Sequence, residues 1–351
     1  MSRPLLDAYA TLKAKVPYTP LIDMPTPVEK FNSDAINLPE LEGLWIKRDD
    51  KTNPIYGGNK VRKLEFILSN AKGKNQIVTI GAIGTNHGVA TSIFCRLHGF
   101  KCRIILFDQP VTSTVIHNLK LMKINGAKLE YRGSMLSAGL LYYLAQLIPG
   151  HNYFLAPGGS NVMGCIGYVN AAFELKQQVE NGELPEPDQI ICPVGSSGTM
   201  AGLALGCQLA GLKSKVQGIS VVPSHLGILP ICTTKTVAHL MKRTYGFLRD
   251  TSDEVPLIQP KVIDLDDGYC GRGYGYATDE GDAAMETFRR KNIVLESTYT
   301  AKTAAAALQS CRSNPDETIL YWHTFNSVVL DAELSSTDIA TLPRELKEIV
   351  Q

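Results

Sequence analysis

Three short runs of this chain carry residue types that could do chemistry on a small ligand. The first is Gly57-Gly58-Asn59-Lys60-Val61-Arg62-Lys63-Leu64-Glu65. Two glycines let the backbone approach something bulky, and Lys60 then opens a helical segment. A lysine desolvated at a helix N-terminus holds its proton weakly, and its free amine can form a Schiff base. Lys63, three residues on, shares that helix face, so two ammonium groups can approach one ligand. Taken alone, an exposed basic helix start is the commoner use of such residues. The second run is Gly195-Ser196-Ser197-Gly198-Thr199, between a strand and a helix. Glycine backbone freedom, hydroxyl donors and the positive end of the helix make a phosphate cradle. A simple turn with Thr199 as the helix cap fits the same residues about equally well. The third is Gly81-Ala82-Ile83-Gly84-Thr85-Asn86-His87-Gly88, also after a strand. Thr85 and Asn86 suit either helix capping, the commoner role, or hydrogen bonds to a planar ligand and a carboxylate.

Other chemistries lack their signatures. No Lys-Ser/Thr pair follows the second run's glycines, so it is not a P-loop. Thr199 stands where a nucleophile elbow needs its last glycine. No G-x-G-x-x-G follows a strand, which argues against a dinucleotide site. The cysteines at 95, 102, 165, 192, 207, 232, 270 and 311 form no C-x-x-C and lie at no zinc spacing, so no metal site is expected. Reduced, mostly buried thiols in a cytoplasmic protein are the reading they support.

These loops need elements to hold them. Strands are expected at Ile77–Ile80, Cys102–Phe107, Gln189–Val194, Val216–Val222, Lys261–Leu265, Ile293–Leu295 and Thr318–His323. Helices are expected near His87–His98, Thr114–Ile124, Thr199–Ala210, Asp279–Lys291 and Thr303–Cys311. Strands alternating with helices imply an α/β fold of parallel sheets flanked by helices, with ligands at the carboxyl ends of the strands. The length, 351 residues, allows about two domains. Lys+Arg number 35 and Asp+Glu 34, a balance that offers no bulk attraction to nucleic acid or a membrane surface. No signal peptide is expected at the start of the sequence. The most apolar stretch, Met135–Ile148, is too short and too polar to span a bilayer.

Together the three runs resemble one family. Trp45-Ile46-Lys47-Arg48-Asp49-Asp50 followed by the Gly57–Glu65 run is similar to the signature of the D-cysteine desulfhydrase / 1-aminocyclopropane-1-carboxylate (ACC) deaminase family. Those enzymes are fold-type-II (tryptophan synthase β-like) pyridoxal-phosphate (PLP) enzymes. Further matches are Thr85-Asn86-His87, Gly158-Gly159-Ser160-Asn161 with Gly164 and Gly167-Tyr168, the Gly195–Thr199 loop, Gly273-Tyr274-Gly275, Tyr299-Thr300-Ala301-Lys302, and His323-Thr324. The resemblance runs from about Pro25 to about Thr324.

The resemblance implies two open, twisted, mostly parallel sheets. A large cofactor domain would be built from 1–60 and 165–351, and a small α/β insert from 61–164, with the active site in the cleft and the enzyme a homodimer. It implies that Lys60 carries pyridoxal 5'-phosphate as a Schiff base and returns as base for the α-proton. Lys63, Gly195, Ser196, Ser197, Gly198 and Thr199 would bind the phosphate, and Asn86 the ring hydroxyl. Thr85, Asn86, His87 and Ser160 would meet the substrate, and Tyr274 and Tyr299 would orient it or relay protons. The ring nitrogen would meet Thr300, with Thr324 a second candidate; His323 reads as a core histidine. Thr300 decides between subfamilies. The deaminase pattern is similar to Tyr-Glu-Gly-Lys and the desulfhydrase pattern to Tyr-Thr-Gly-Lys. A neutral hydroxyl supports a pyridinium less than a carboxylate does, which suits β-elimination better than opening a cyclopropane. The expected reaction is therefore D-cysteine to pyruvate, hydrogen sulfide and ammonia. ACC deamination, another β-substituted substrate and a non-catalytic PLP-binding protein are the alternatives. The chain departs from the pattern at Ala301, at Phe325-Asn326 where Gly-Gly is usual, and over Leu226–Thr251, which matches nothing.

Overall fold

The computed structural model describes residues 3–227, 229–262, 265–330 and 342–350. It divides into two compact units: one of Met1–Ile67 with Ser160–Val328, the other of Leu68–Gly159 with Val329–Gln351.

The chain starts in the first unit with helices α1 (Pro4–Ala8) and α2 (Ala10–Lys15) and strands β1 (Val28–Lys30) and β2 (Leu44–Arg48). Helix α3 (Asn59–Asn70) then carries it into the second unit. There follow β3 (Gln76–Ala82), α4 (Asn86–Leu97), β4 (Lys101–Phe107), α5 (Ser113–Ile124), β5 (Lys128–Tyr131), α6 (Met135–Gln146) and β6 (Asn152–Phe154). The four strands form a wholly parallel sheet in the order β5-β4-β3-β6. The β-branched runs of the central strands β3 and β4, Ile77–Ile80 and Ile104–Ile105, are buried on both faces, as parallel strands between helices must be. Thr85 caps α4, its hydroxyl accepting the Gly88 amide at 3.2 Å.

Back in the first unit come α7 (Val162–Glu180), β7 (Gln189–Val194), α8 (Gly198–Ala210), β8 (Lys215–Ser220), the short ribbon β9 (His225–Leu226) and β10 (Leu229–Pro230), and α9 (Thr234–Thr251). Then follow α10 (Asp279–Arg289), α11 (Thr300–Ser313) and β11 (Ile319–His323). The sheet runs β1-β2-β11-β7-β8, parallel except at β1. Helices α7 and α8 pack so closely that a Cβ on Gly206 would stand 2.8 Å from the Val169 carbonyl oxygen. A further helix, α12 (Arg344–Val350), belongs to the second unit.

Two expected strands differ. Ile293–Leu295 is an extended coil that pairs with no strand. Its apolar alternation is real, since Ile293 and Leu295 are buried in the cluster around Phe288 and Ala304. Yet the chain turns at once into α11, leaving no room for a ladder. Of Lys261–Leu265, residues 263 and 264 lie outside the described residues; the neighbouring pairing is a single parallel bridge from Asp266 to Ile219. The stretch from Leu226 to Thr251 that matched no family pattern is mostly α9, which buries Val237, Leu240, Met241, Thr244 and Leu248 along one face. All eight cysteines are free thiols, and only Cys270 is part-exposed. Among the described residues no helix is long and apolar enough to cross a membrane, and no cluster of metal-ligating side chains occurs.

Candidate active site

Most of the residues singled out in the sequence meet within the first unit. Asn59 and Lys60 open α3 because the chain before them is pinned on both sides. The Gly57 amide donates to Asn326 Oδ1 at 2.6 Å, and the Asn59 amide to the Thr324 carbonyl at 3.1 Å. Gly58 has φ of +94°, and a Cβ there would lie 2.8 Å from the Thr324 carbonyl oxygen. Only glycine fits that turn. Asn326 therefore secures the loop in front of Lys60, and Val328 shares the same amide group.

Beneath the start of α3 lies a buried ionic lattice. Arg62 donates to both Asp49 and Glu174, and Lys47 donates to Glu174 at 2.6 Å. Asp49 also accepts from Tyr168 at 2.8 Å and from the Trp322 indole at 2.6 Å. Burial pushes the Glu174 carboxyl up, but Arg62 and Lys47 outweigh it and hold it well below the usual carboxylate range. Thus Lys47 and Asp49, through Glu174 and Arg62, serve as the footing of the lysine helix, while Arg48 pairs with Asp50 and Glu29.

Lys60 is half-buried, and its Nζ donates to Asn59 Oδ1 at 2.8 Å. Burial, then the charge of Lys63, presses its amine well below the usual lysine range, against the pull of Glu296. Burial brings Lys63 down to about 8. The Lys60 Nζ stands 5.9 Å from the centre of the Tyr299 ring. The Tyr299 hydroxyl donates to that of Tyr274 at 3.0 Å, with the rings edge to face. Burial pushes Tyr274 up to about 12 and Tyr299 higher still, so both phenols keep their protons at neutral pH.

The glycine loop lies against this group, since a Cβ on Gly195 would meet the Tyr299 ring at 2.9 Å. Ser197, the residue before α8, has φ of +66°, a conformation costly for serine; its hydroxyl shares a 3.0 Å hydrogen bond with Thr236. The helix cap is therefore not Thr199, whose hydroxyl accepts from Asn59 Nδ2 at 3.3 Å. Ser160 joins this loop: its hydroxyl donates to Ser196 Oγ at 2.9 Å and accepts the Gly198 amide at 3.1 Å. A Cβ on Gly198 would lie 2.6 Å from Ser160 Oγ and 3.1 Å from Lys63 Nζ. The amides of Ser196, Ser197 and Thr199 donate to no group among the described residues. Free amides, hydroxyls and a lysine at one helix N-terminus fit a phosphate.

Glu296 was not singled out in the sequence. It accepts the amides of Thr298 at 2.8 Å, Tyr299 at 2.7 Å and Thr300 at 2.8 Å, which caps α11. The Thr300 hydroxyl accepts the Glu296 amide at 2.7 Å and donates to its carbonyl at 3.1 Å. Thr300 is buried, and its carbonyl accepts from the Tyr321 hydroxyl at 3.1 Å. An acidic residue just ahead of a helix is a capping signal; reading Ile293–Leu295 as a strand obscured it. His323 is a core residue, with Nδ1 3.3 Å from the Tyr321 hydroxyl.

Thr85, Asn86 and His87 belong to the second unit. Asn86 Oδ1 accepts from Asn118 Nδ2 at 2.9 Å. His87 is buried with Nε2 2.9 Å from the Thr79 hydroxyl.

A depressed lysine amine beside an anion cradle, in a sheet-and-helix fold, defines an α/β enzyme built for a phosphorylated carbonyl cofactor. Residues 19–324 match the family model described as pyridoxal-phosphate dependent enzyme, and the chain belongs to that family. Its cofactor is pyridoxal 5'-phosphate, and the lysine and the cradle described above fit it. A solved structure described as an ACC deaminase homologue is 28% identical, with a TM-score of 0.76 over 96% of this chain and 99% of that one. The processed form of threonine deaminase isoform 2 from Solanum lycopersicum is 15% identical, with a TM-score of 0.62 over 97% and 95%. Isoform 3 of O-acetyl serine sulfhydrylase from Entamoeba histolytica is 17% identical, with a TM-score of 0.61 over 94% and 92%. The last two speak to the fold alone, which is that of the fold-type-II enzymes.

Proposed function

We propose that this chain is a lyase that carries out β-elimination on D-cysteine, giving pyruvate, hydrogen sulfide and ammonia. The observation that supports it is the juxtaposition of one weakly basic amine with two protonated phenols. Elimination needs a base for the α-proton and an acid for the leaving group. Lys60 is the base, and the Tyr274–Tyr299 pair supplies the proton to the departing sulfur. Pyridoxal phosphate, when bound, supplies the electron sink. Lys60 would hold it covalently; Lys63 and the Gly195–Thr199 loop, with Ser160, would hold its phosphate. Thr300 would face its ring nitrogen, with Thr324 the second candidate, and a hydroxyl there suits loss of a thiolate. Thr85, Asn86 and His87 would receive the substrate carboxylate, and Asn86 the cofactor's ring hydroxyl.

A second reading is deamination of ACC to 2-oxobutyrate and ammonia. The similarity to an ACC deaminase homologue favours it; Thr300 in place of a glutamate speaks against it. The test is a parallel assay of the PLP-loaded protein with D-cysteine, L-cysteine and ACC. Sulfide and pyruvate from D-cysteine alone would support the proposal. Production of 2-oxobutyrate would overturn it and show that a hydroxyl partner suffices for ring opening. No product from any of the three would refute both readings and point to another substrate.

A further inference from the structure

Ser197 stands in a backbone conformation that its residue type resists. Its φ of +66° and ψ of −32° lie where an L side chain crowds the carbonyl that follows it. The Gly198 amide donates to the Ser196 carbonyl at 2.8 Å, so Ser197 is the centre of a γ-turn with positive φ. That form of the turn is rare and strained. Glycine adopts it without penalty, yet serine holds the place. A strained residue persists only where its surroundings over-determine it. Ser197 is buried, and two groups lie within reach of its hydroxyl: Thr236 Oγ1 at 3.0 Å and Cys232 Sγ at 4.0 Å.

Counting protons gives the direction of the bond to Thr236. A threonine hydroxyl has one proton and two lone pairs. That of Thr236 donates to the Thr233 carbonyl at 2.8 Å and accepts the Thr233 amide at 2.9 Å, in the capping box that opens α9. Its proton is spent, so toward Ser197 it can only accept, and the Ser197 hydroxyl donates. The Ser197 proton is therefore given to α9 and not to a ligand. What the turn offers a phosphate is backbone N–H: the amides on either side of it, of Ser196 and Thr199, donate to no group among the described residues. A turn of this kind sets where such amides aim, and Thr236 holds the turn. Thr236 lies 39 residues further along the chain, in the stretch from Leu226 to Thr251 that matched no family pattern.

We infer that Thr236 is a positioning residue for the cofactor's phosphate: by accepting the Ser197 hydroxyl it holds the strained turn that aims the amides of the Gly195–Thr199 loop. The inference rests on the phosphate assignment of that loop and not on the identity of the substrate. Titration of the cofactor-free, full-length protein with PLP and with pyridoxal, which lacks the phosphate, tests both; the readout is the absorbance of the bound ligand. Thr236→Val removes the hydroxyl and keeps the shape. Without its tie Ser197 relaxes, a fraction of the loops stays competent, and the apparent affinity falls by that fraction. The dissociation constant for PLP is expected to rise about tenfold, the low end of the strain such a residue stores. The constant for pyridoxal is expected to stay at the wild-type value. Adding Ser197→Gly to Thr236→Val is expected to restore PLP binding, because glycine takes up the turn without a tie. A role for Thr236 in the stability of α9 alone would weaken both ligands, and the glycine would rescue neither. Ser197→Ala leaves the capping box of α9 intact and is expected to match Thr236→Val, which keeps the inference testable if the latter fails to fold. Wild-type PLP affinity in either single variant overturns the inference, as does an equal loss for PLP and pyridoxal or a double variant that the glycine leaves unrestored. A wild type that binds pyridoxal as tightly as PLP overturns the phosphate assignment itself, and the inference falls with it.

Discussion

Glu296 is held by amide hydrogens of the turn it precedes, and it fixes the residues that carry the proposed chemistry. Truncation would free three amides at the start of α11 and release both Tyr299 and Thr300. Glu296→Ala is expected to cost about 1–2 kcal/mol, the scale of a lost helix cap, in urea unfolding of the holoenzyme. Glu296→Gln keeps an acceptor oxygen and should cost less than half of that; an alanine variant as stable as the wild type would refute the capping role. His323 makes a pH prediction at the same scale. Burial presses it down to about 4, against the pull of Asp50. The unfolded chain takes up the proton near 6.5, so the neutral fold is fully favoured above that pH. Stability is lost as pH falls from about 6.5 to about 4, by up to roughly 3 kcal/mol. His323→Asn should flatten the dependence of stability on pH in that window. Equal slopes in wild type and variant would show that His323 does not drive it.

At the scale of elements, α3 is positioned by charges that its own sequence does not advertise. Arg62 reads as one basic residue in a basic run, yet it is completely buried between Asp49 and Glu174. Removing one member leaves the others charged without water, which in buried pairs costs about 3–5 kcal/mol. Glu174→Ala is expected to lower stability by that amount and to loosen Lys60, read as a blue or red shift of the bound cofactor's absorbance. A variant unfolding at the wild-type urea concentration would refute the footing role. The sequence made the central strands legible because their β-branched runs are buried on both faces, and it placed β7 at its observed bounds. It made α10 legible through its amphipathic periodicity, and α4 and α8 through the glycine-rich turns that precede them. It failed at Ile293–Leu295, where burial without pairing imitates a strand.

At the scale of the whole molecule, the chemistry-bearing loops were legible because glycine, hydroxyl and lysine side chains cluster where strands end. What a sequence read by patterns could not supply was contact. Ser160 was expected at the substrate, and its hydrogen bonds tie it to the glycine loop; Asn326 stood out only as a departure from a Gly-Gly pattern, and it clamps Gly57. The proposed roles also divide between two units, with Lys60 and the glycine loop in one and Thr85, Asn86 and His87 in the other. Hydrogen exchange of the protein with and without pyridoxal phosphate reads both units at once. Ordered ligand contacts suppress local opening, and a tenfold slowing corresponds to about 1.4 kcal/mol. Loading is expected to slow exchange at least tenfold over residues 57–64 and 195–199, and over 85–88 at the start of α4. Strand β4, whose amides are already held in the sheet, serves as the internal reference and should not change. Slowing in the first two segments with none at 85–88 would leave the lysine and phosphate assignments standing. It would remove Asn86 from the cofactor, and the substrate role proposed for Thr85 and His87 would lose its footing with it.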